Sequence, residues 1–299
     1  MIFKNQNYHT PVLLRECIEH LSIKPEGVYV DATFGGGGHS RSILNQMNAK
    51  GRLFGFDQDE QAVQNILPDP NFVFVRANFK FLRQMMEFYG VQHVDGVLAD
   101  LGVSSHHFDE AERGFSYRFD AALDMRMNQS GGISAGNVLN EYSQQELQRV
   151  LSEYGELRNA RSFSKLICEE RRVAKLNTVA QLLDVIERLY IGDRIKYAAQ
   201  VFQAIRIEVN NEMVVLEDFL NQAIELLGSQ GRLVVISYHS IEDKVVKKVM
   251  KHHVSKRDEF GRSIADVKLV LKKPLIPSEE EVLTNSRAAS AKLRVLEKL

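Results

Sequence analysis

Between residues 28 and 100, short apolar runs alternate with amphipathic stretches, a rhythm that predicts βαβ units and a parallel sheet. The predicted strands are Val28 to Phe34, Arg52 to Phe56, Phe72 to Arg76 and Val94 to Ala99. From about Asp109 to Gln200 the spacing becomes helical and the composition charged, as in Leu147, Val150, Leu151 and Tyr154 and again in Leu182, Leu183 and Ile186. A helix-like stretch from Met213 to Leu227 leads to a strand over Gly231 to Ser237, and a last predicted strand covers Asp266 to Leu271. The pattern predicts a discontinuous α/β domain, residues 1–108 and 201–299, interrupted by an all-helical insertion over 109–200. That insertion leaves the sheet at the C-terminal end of a strand, where open α/β sheets bind ligands, so it is placed to cover a substrate.

Composition narrows the setting. The net charge of −1 excludes a globally basic nucleic-acid coat but not a local basic face. Two such segments occur. Arg158 to Lys175 carries Arg158, Arg161, Lys165, Arg171, Arg172 and Lys175 against Glu169 and Glu170, and Lys244 to Lys273 holds ten Lys or Arg against Asp258, Glu259 and Asp266. Each reads equally as a solvated face or as a surface for a phosphate-rich partner. Cys17 and Cys168 lie far apart and in no Cys-x-x-Cys pair, which points to a reducing compartment without a disulfide framework or zinc site. The N-terminus lacks an apolar leader and no apolar run has membrane length, so the expectation is a soluble, cytoplasmic protein with no membrane partner.

The richest local signal is the first predicted strand running into Gly35-Gly36-Gly37-Gly38-His39-Ser40, with Asp57 ending the second strand about 20 residues on, where such folds place a ribose-binding acid. A phosphate-binding P-loop needs Gly-Lys-Ser/Thr, which His39-Ser40 does not supply. The dinucleotide pattern G-x-G-x-x-G is matched at Gly35 and Gly37 only, with Ser40 in the third place. Asp31, before the glycines, would repel a pyrophosphate and suits a ligand carrying an ammonium and a sulfonium. S-adenosylmethionine therefore fits better than a nicotinamide dinucleotide.

Asp100 ends the fourth strand, followed by Leu101-Gly102-Val103-Ser104-Ser105, and is expected to face the methyl donor. An exocyclic base amine is a poor nucleophile, because its lone pair is delocalised into the ring. Acceptors that hold its N–H groups, such as Asp100 and a backbone carbonyl, orient that lone pair for in-line displacement. Methylation at pyrimidine C5 uses a cysteine, and neither cysteine adjoins a strand-end motif, so nitrogen is the favoured target. No His, Cys or Asp cluster has metal-ligand spacing, and no metal is expected. Phe115, Tyr117 and Phe119 either stack on the target base or pack the base of the insertion.

Several motifs in order across the chain resemble the MraW-type S-adenosylmethionine-dependent methyltransferases: His9 to Glu16, Asp31 to Ser40, Asp100 to Ser105, Arg113 to Ser116, Leu123 to Met127, Phe202 to Asn210, Ile236 to Asp243 and Ser290 to Arg294. The resemblance implies a class I, Rossmann-like methyltransferase sheet with an inserted all-helical domain. It implies N4-methylation of a cytidine in the decoding, P-site region of bacterial 16S ribosomal RNA, within the small subunit, with a homodimer left open. For the cofactor it implies Gly37, Gly38 and His39 in the loop, Asp57 on the ribose, Phe79 near the adenine, and Asp100 at the methyl end. His107 stands where the family usually has Gln as a cofactor contact, Ala122 where it usually has Pro, and Ala289 where it often has Arg. The alternative function is a nucleotide-responsive RNA-binding or ribosome-assembly protein without turnover.

Overall fold

The computed structural model describes residues 11–101, 113–127 and 131–299. The chain forms two compact units, one of Met1–Gly102 with Val214–Leu299 and one of Val103–Met213.

The first unit is built on a seven-stranded sheet. Its strands are β1 (Val28–Asp31), β2 (Arg52–Asp57), β3 (Phe72–Arg76), β4 (Val94–Asp100), β5 (Leu227–Ser237), β6 (Val267–Leu269) and β7 (Lys292–Lys298), in the order β3-β2-β1-β4-β5-β7-β6. The first five are parallel, and β7 runs antiparallel to both β5 and β6. This is the class I methyltransferase sheet that the resemblance implies. Strand order reverses beside β1, between β2 and β4, and at such a switch point an open sheet has a crevice at its carboxyl edge.

The central strands are apolar throughout because both faces are covered. Val30, Phe54, Val97 and Val235 pack into one layer with Phe219 and Leu220 of one helix and Val246 and Met250 of another. Their neighbours Tyr29, Leu53, Leu98 and Val234 enter the opposite layer with Cys17 and Leu21 of α1 (Leu14–Leu21). Period-two alternation thus feeds two cores rather than one core and solvent.

Two boundaries differ from the pattern-based expectation. The first strand ends at Asp31 rather than Phe34, although Ala32 and Phe34 still donate backbone bonds to Leu98 and Phe56. Asp266 to Leu271 is not the last strand. Lys292–Lys298 follows and is inserted between β5 and β6, its charged positions satisfied across the sheet by Arg232 and Lys268 on Glu297.

The second unit holds α4 (Ala135–Glu141), α5 (Gln144–Glu153), α6 (Ala160–Val173), α7 (Val179–Glu187) and α8 (Arg194–Asn210). Capping boxes begin α4, α5 and α7 at Ser134, Ser143 and Thr178. The positions i, i+3 and i+4 at Leu147, Val150 and Leu151 are buried, as are Leu182, Val185 and Ile186. This unit extends to residue 213, because α8 buries Tyr197, Val201, Ile205 and Val209 in the helical core. The next helix, α9 (Glu212–Leu226), supplies Phe219 and Leu220 to the sheet unit, and α10 (Ser240–Val254) follows β5.

Candidate active site

The glycine segment turns directly off β1. Gly35 and Gly37 both take positive φ, 49° and 72°, a conformation that glycine adopts without strain. A Cβ on Gly37 would meet the Phe34 ring at 2.8 Å, and one on Gly38 would meet Pro11 Cγ at 2.3 Å. The first glycine is thus required by the turn, and the second by the N-terminal segment that crosses it. Helix α2 (Gly38–Leu44) starts there, so its first amide groups belong to the loop.

Three carboxylates surround this turn, and each has a different job. Asp31 is 1% exposed; its carboxylate accepts the Ser40 hydroxyl at 2.7 Å and the Thr33 amide at 3.1 Å. Burial pushes its pKa up, with His39, Ser40 and Thr33 opposing and Asp100 adding to the rise. The sequence reading places Asp31 toward a cationic ligand. Its oxygens tie β1 to the start of α2, so it shapes the loop.

Asp57, at the end of β2, accepts Gly35 N–H at 2.8 Å on one oxygen and Asp59 N–H at 2.8 Å on the other. Each carboxylate oxygen can accept more than one bond, so both retain lone pairs for hydroxyl donors. Burial raises the Asp57 pKa against those two backbone bonds. Asp100, at the end of β4, is anchored by its own N–H donating to Thr33 Oγ1 at 2.7 Å. Its carboxylate acts electrostatically on the Tyr238 phenol, and Oδ2 lies 3.9 Å from His39 Nδ1. The phenol is held protonated, first by burial and then by the Asp100 charge, so Tyr238 serves as a donor.

The same register that aligns Asp100 with Ile236 brings Tyr238 to Asp100. The turn after β5 is fixed by Glu242, whose carboxylate accepts the Tyr238 and His239 amides at 2.8 and 3.3 Å. Asp243 is in turn held by both ends of the Arg294 guanidinium at 2.7 and 3.1 Å. The motifs ending at Asp243 and Arg294, distant in sequence, are therefore one joint.

Gly37, Gly38, His39, Asp57 and Asp100 thus gather at the carboxyl edge of β1, β2 and β4. His39 is buried, its Nε2 3.3 Å from the Val12 carbonyl oxygen, so the ring holds the N-terminal segment over the loop. Phe79 lies in the turn after β3, half-buried, its ring 4.8 Å from Phe219. His107 lies outside the described residues, as do His9 and the Gly102 to Ser105 segment.

Sequence reasoning missed Tyr238, Thr33 and the setting of Cys17. That thiol is fully buried and close enough to Asp100 and Asp31 to feel their charges, which together with burial push its pKa well up. Cys17 is therefore near the strand-end acids after all. Kept as a buried thiol, it is nonetheless unsuited to attack a base.

In the helical unit, Phe115 is buried in the core with the Arg113 guanidinium 5.1 Å from its ring, and Tyr117 meets Phe202 edge-on at 5.8 Å. Phe119 is 49% exposed. Arg171 donates to the Leu139 carbonyl at 2.8 Å and is half-buried, so it works within the fold, whereas Arg161, Arg172 and Lys175 are exposed. Among the described residues, no group of His, Cys, Asp or Glu could hold a metal, and no helix is long and apolar enough to cross a membrane.

Residues 6–299 match the MraW methylase family. Ribosomal RNA small subunit methyltransferase H of Bacteroides fragilis strain YCH46 is 49% identical over 296 residues, covering 97% of each chain. The protein of the same name from Flavobacterium johnsoniae is 48% identical over 298 residues, covering 98% of each, and that from Flavobacterium psychrophilum is 50% identical over 291 residues, covering 96% of this chain and 100% of its own.

Proposed function

This chain belongs to the MraW methylase family, and we propose that it methylates N4 of a cytidine in the decoding, P-site region of bacterial 16S ribosomal RNA, using S-adenosylmethionine, in the cytoplasm. The sheet unit binds the donor and the helical unit recognises the RNA. The observation that carries the chemistry is Asp100, which ends β4 beside the glycine turn, anchored through its amide on Thr33 Oγ1.

The residues fit the donor. The open glycine turn admits close backbone approach, Asp57 has lone pairs for the two ribose hydroxyls, and Phe79 borders the adenine. Gly37, Gly38 and His39 form the wall at the loop, and His107 is proposed as a further cofactor contact. The carboxylates of Asp31, Asp57 and Asp100 give the crevice a negative field that favours a cationic ligand. S-adenosylmethionine supplies a methyl group on a sulfonium, a leaving group that needs no metal or acid.

The protein's task is then to present the amine. Asp100 accepts an N–H of the cytidine amine, turning the nitrogen lone pair out of conjugation and into line with the methyl carbon. Tyr238 donates to the same carboxylate and fixes its rotamer, so the acceptor is in place before the base arrives. On transfer the sulfur–carbon bond would break as the nitrogen–carbon bond forms, the thioether leaving neutral, and Asp100 stabilises the positive charge on nitrogen until its proton passes to solvent water.

The test is transfer of labelled methyl to small subunits from cells lacking the protein, with nuclease digestion and mass spectrometry of the RNA. N4-methylcytidine is the expected product. Label appearing only in DNA or protein would reject the reading.

A further inference from the structure

The segment after α10 folds into a tight hairpin. Arg257 and Ser263 form an antiparallel bridge, Ile264 N–H donates to the Lys256 carbonyl at 3.0 Å, and Asp258 N–H donates to the Arg262 carbonyl at 2.9 Å. At the tip, Asp258 Oδ1 accepts the amides of Phe260 and Arg262 at 3.0 and 2.8 Å, Gly261 takes φ 76°, and Arg257 Nη1 donates to the Gly261 carbonyl at 2.6 Å. Nine residues are thus locked around one exposed aromatic ring.

That ring is Phe260, 74% exposed, with the Arg262 guanidinium 5.6 Å from its centroid. Exposure alone says little, since Phe88 is 77% exposed. Phe88, however, sits on a helix and leans edge-on against Tyr89 at 5.2 Å, whereas Phe260 is carried out on a turn whose side chains and backbone are spent on rigidity. Lys256, Arg257 and Arg262 are exposed on the same hairpin, as is Glu259, and the Asp258 carboxylate is engaged by the tip's own amides. An exposed aromatic ring with a guanidinium beside it, on a basic turn ordered in advance, is the combination that binds unstacked nucleotides: the ring stacks on a base while the cations meet flanking phosphates. A ligand that stacks there loses little conformational entropy on the protein side.

We propose that this hairpin is an RNA-binding finger that stacks Phe260 on an unpaired base of the ribosomal RNA substrate, with Lys256 and Arg262 on adjacent phosphates. The inference rests on the reading of ribosomal RNA as substrate and adds a second contact, apart from the nucleotide that is methylated.

The natural chain contains no tryptophan, so Phe260→Trp creates a single fluorescent reporter at the tip. Titration with protein-free 16S RNA should quench its emission by stacking, and the variant should keep its methylation rate. Phe260→Ala should raise KM for the RNA about tenfold, the loss of one base stack, with kcat at saturation and donor affinity unchanged. Phe88→Ala should leave all three at their wild-type values. Unquenched emission at saturating RNA, quenching by ribosomal proteins but not by RNA, or an unaltered KM in Phe260→Ala would overturn the proposal. If the wild-type enzyme transfers no methyl group to small subunits from cells lacking the protein, the substrate reading fails instead, and the fluorescence titration still decides the finger.

Discussion

Asp57 and Asp100 end β2 and β4, the two strands that flank β1, yet answer differently to substitution. Asp57→Ala removes the acceptor for two backbone amides and for the ribose hydroxyls, so donor affinity should fall by about 1.5–3 kcal/mol; calorimetry measures this, and unchanged affinity would take Asp57 out of the site. Its raised pKa adds a pH signature. A folded carboxyl that holds its proton more tightly than the unfolded chain contributes stability in acid, and that contribution is lost as pH rises through the folded value. Donor affinity runs the other way, weakening as pH falls and the carboxylate is protonated. Donor binding followed between about pH 4 and 7 should therefore slope in the wild type and be flatter in Asp57→Ala. Asp100→Ala should instead lower the single-turnover methylation rate by about 10²-fold or more while RNA affinity is kept, because its role lies in orienting the amine. Tyr238→Phe should show the same split to a smaller degree. A variant of Asp100 that loses donor affinity but keeps its rate would be a cofactor ligand only.

Several motifs that carry the family resemblance in the sequence are joints of the fold. The Phe202 to Asn210 motif is part of α8, where Asn210 donates to the Met125 carbonyl at 2.8 Å and accepts from the Met127 amide at 2.7 Å, holding the Leu123 to Met127 loop whose Met125 has φ 55°. Arg206 is 6% exposed and meets Glu212 through two bonds of 2.8 and 3.0 Å. Arg206→Met should destabilise the helical unit by about 3 kcal/mol because it strands a largely buried carboxylate. Replacing Glu212 with Leu in the same chain should recover much of that loss in denaturant unfolding; no recovery would mean that the pair is not what Arg206 is for. The parallel strands were legible because burial on both faces leaves unbroken apolar runs. β7 was not, because Lys292, Arg294, Glu297 and Lys298 make it resemble a solvated tail until their partners on β5, β6 and α10 are known. For the same reason the glycine turn, Asp57 and Asp100 could be picked out by spacing. Tyr238 could not, since its approach to Asp100 depends on the β4–β5 register, and neither could the tie from Ser40 to Asp31, which depends on how the glycine turn folds.

At the scale of the whole molecule, a protein of net charge −1 has to hold a polyanion with local rather than global charge. The exposed cations of the helical unit are the proposed means. Arg161, Arg172 and Lys175 are the residues to neutralise, because Arg171 is committed to the Leu139 carbonyl and its loss would confuse folding with binding. Each phosphate contact removed releases fewer counterions, so the log–log dependence of RNA affinity on salt should flatten by roughly 0.7–0.9 per contact. The triple variant should accordingly bind small-subunit RNA more weakly at low salt and approach the wild type as salt rises. Donor affinity, which depends on the glycine turn and Asp57, should be the same in both proteins. With saturating RNA the variant should still yield N4-methylcytidine, since the amine is presented by Asp100 and not by the phosphate contacts. Filter-binding titrations across a salt series, paired with nucleoside mass spectrometry, measure both properties in one preparation. An unchanged slope would move the RNA path off the helical unit, and restoration of 5-methylcytidine or N6-methyladenosine in complemented cells would overturn the assignment of the reacting nitrogen.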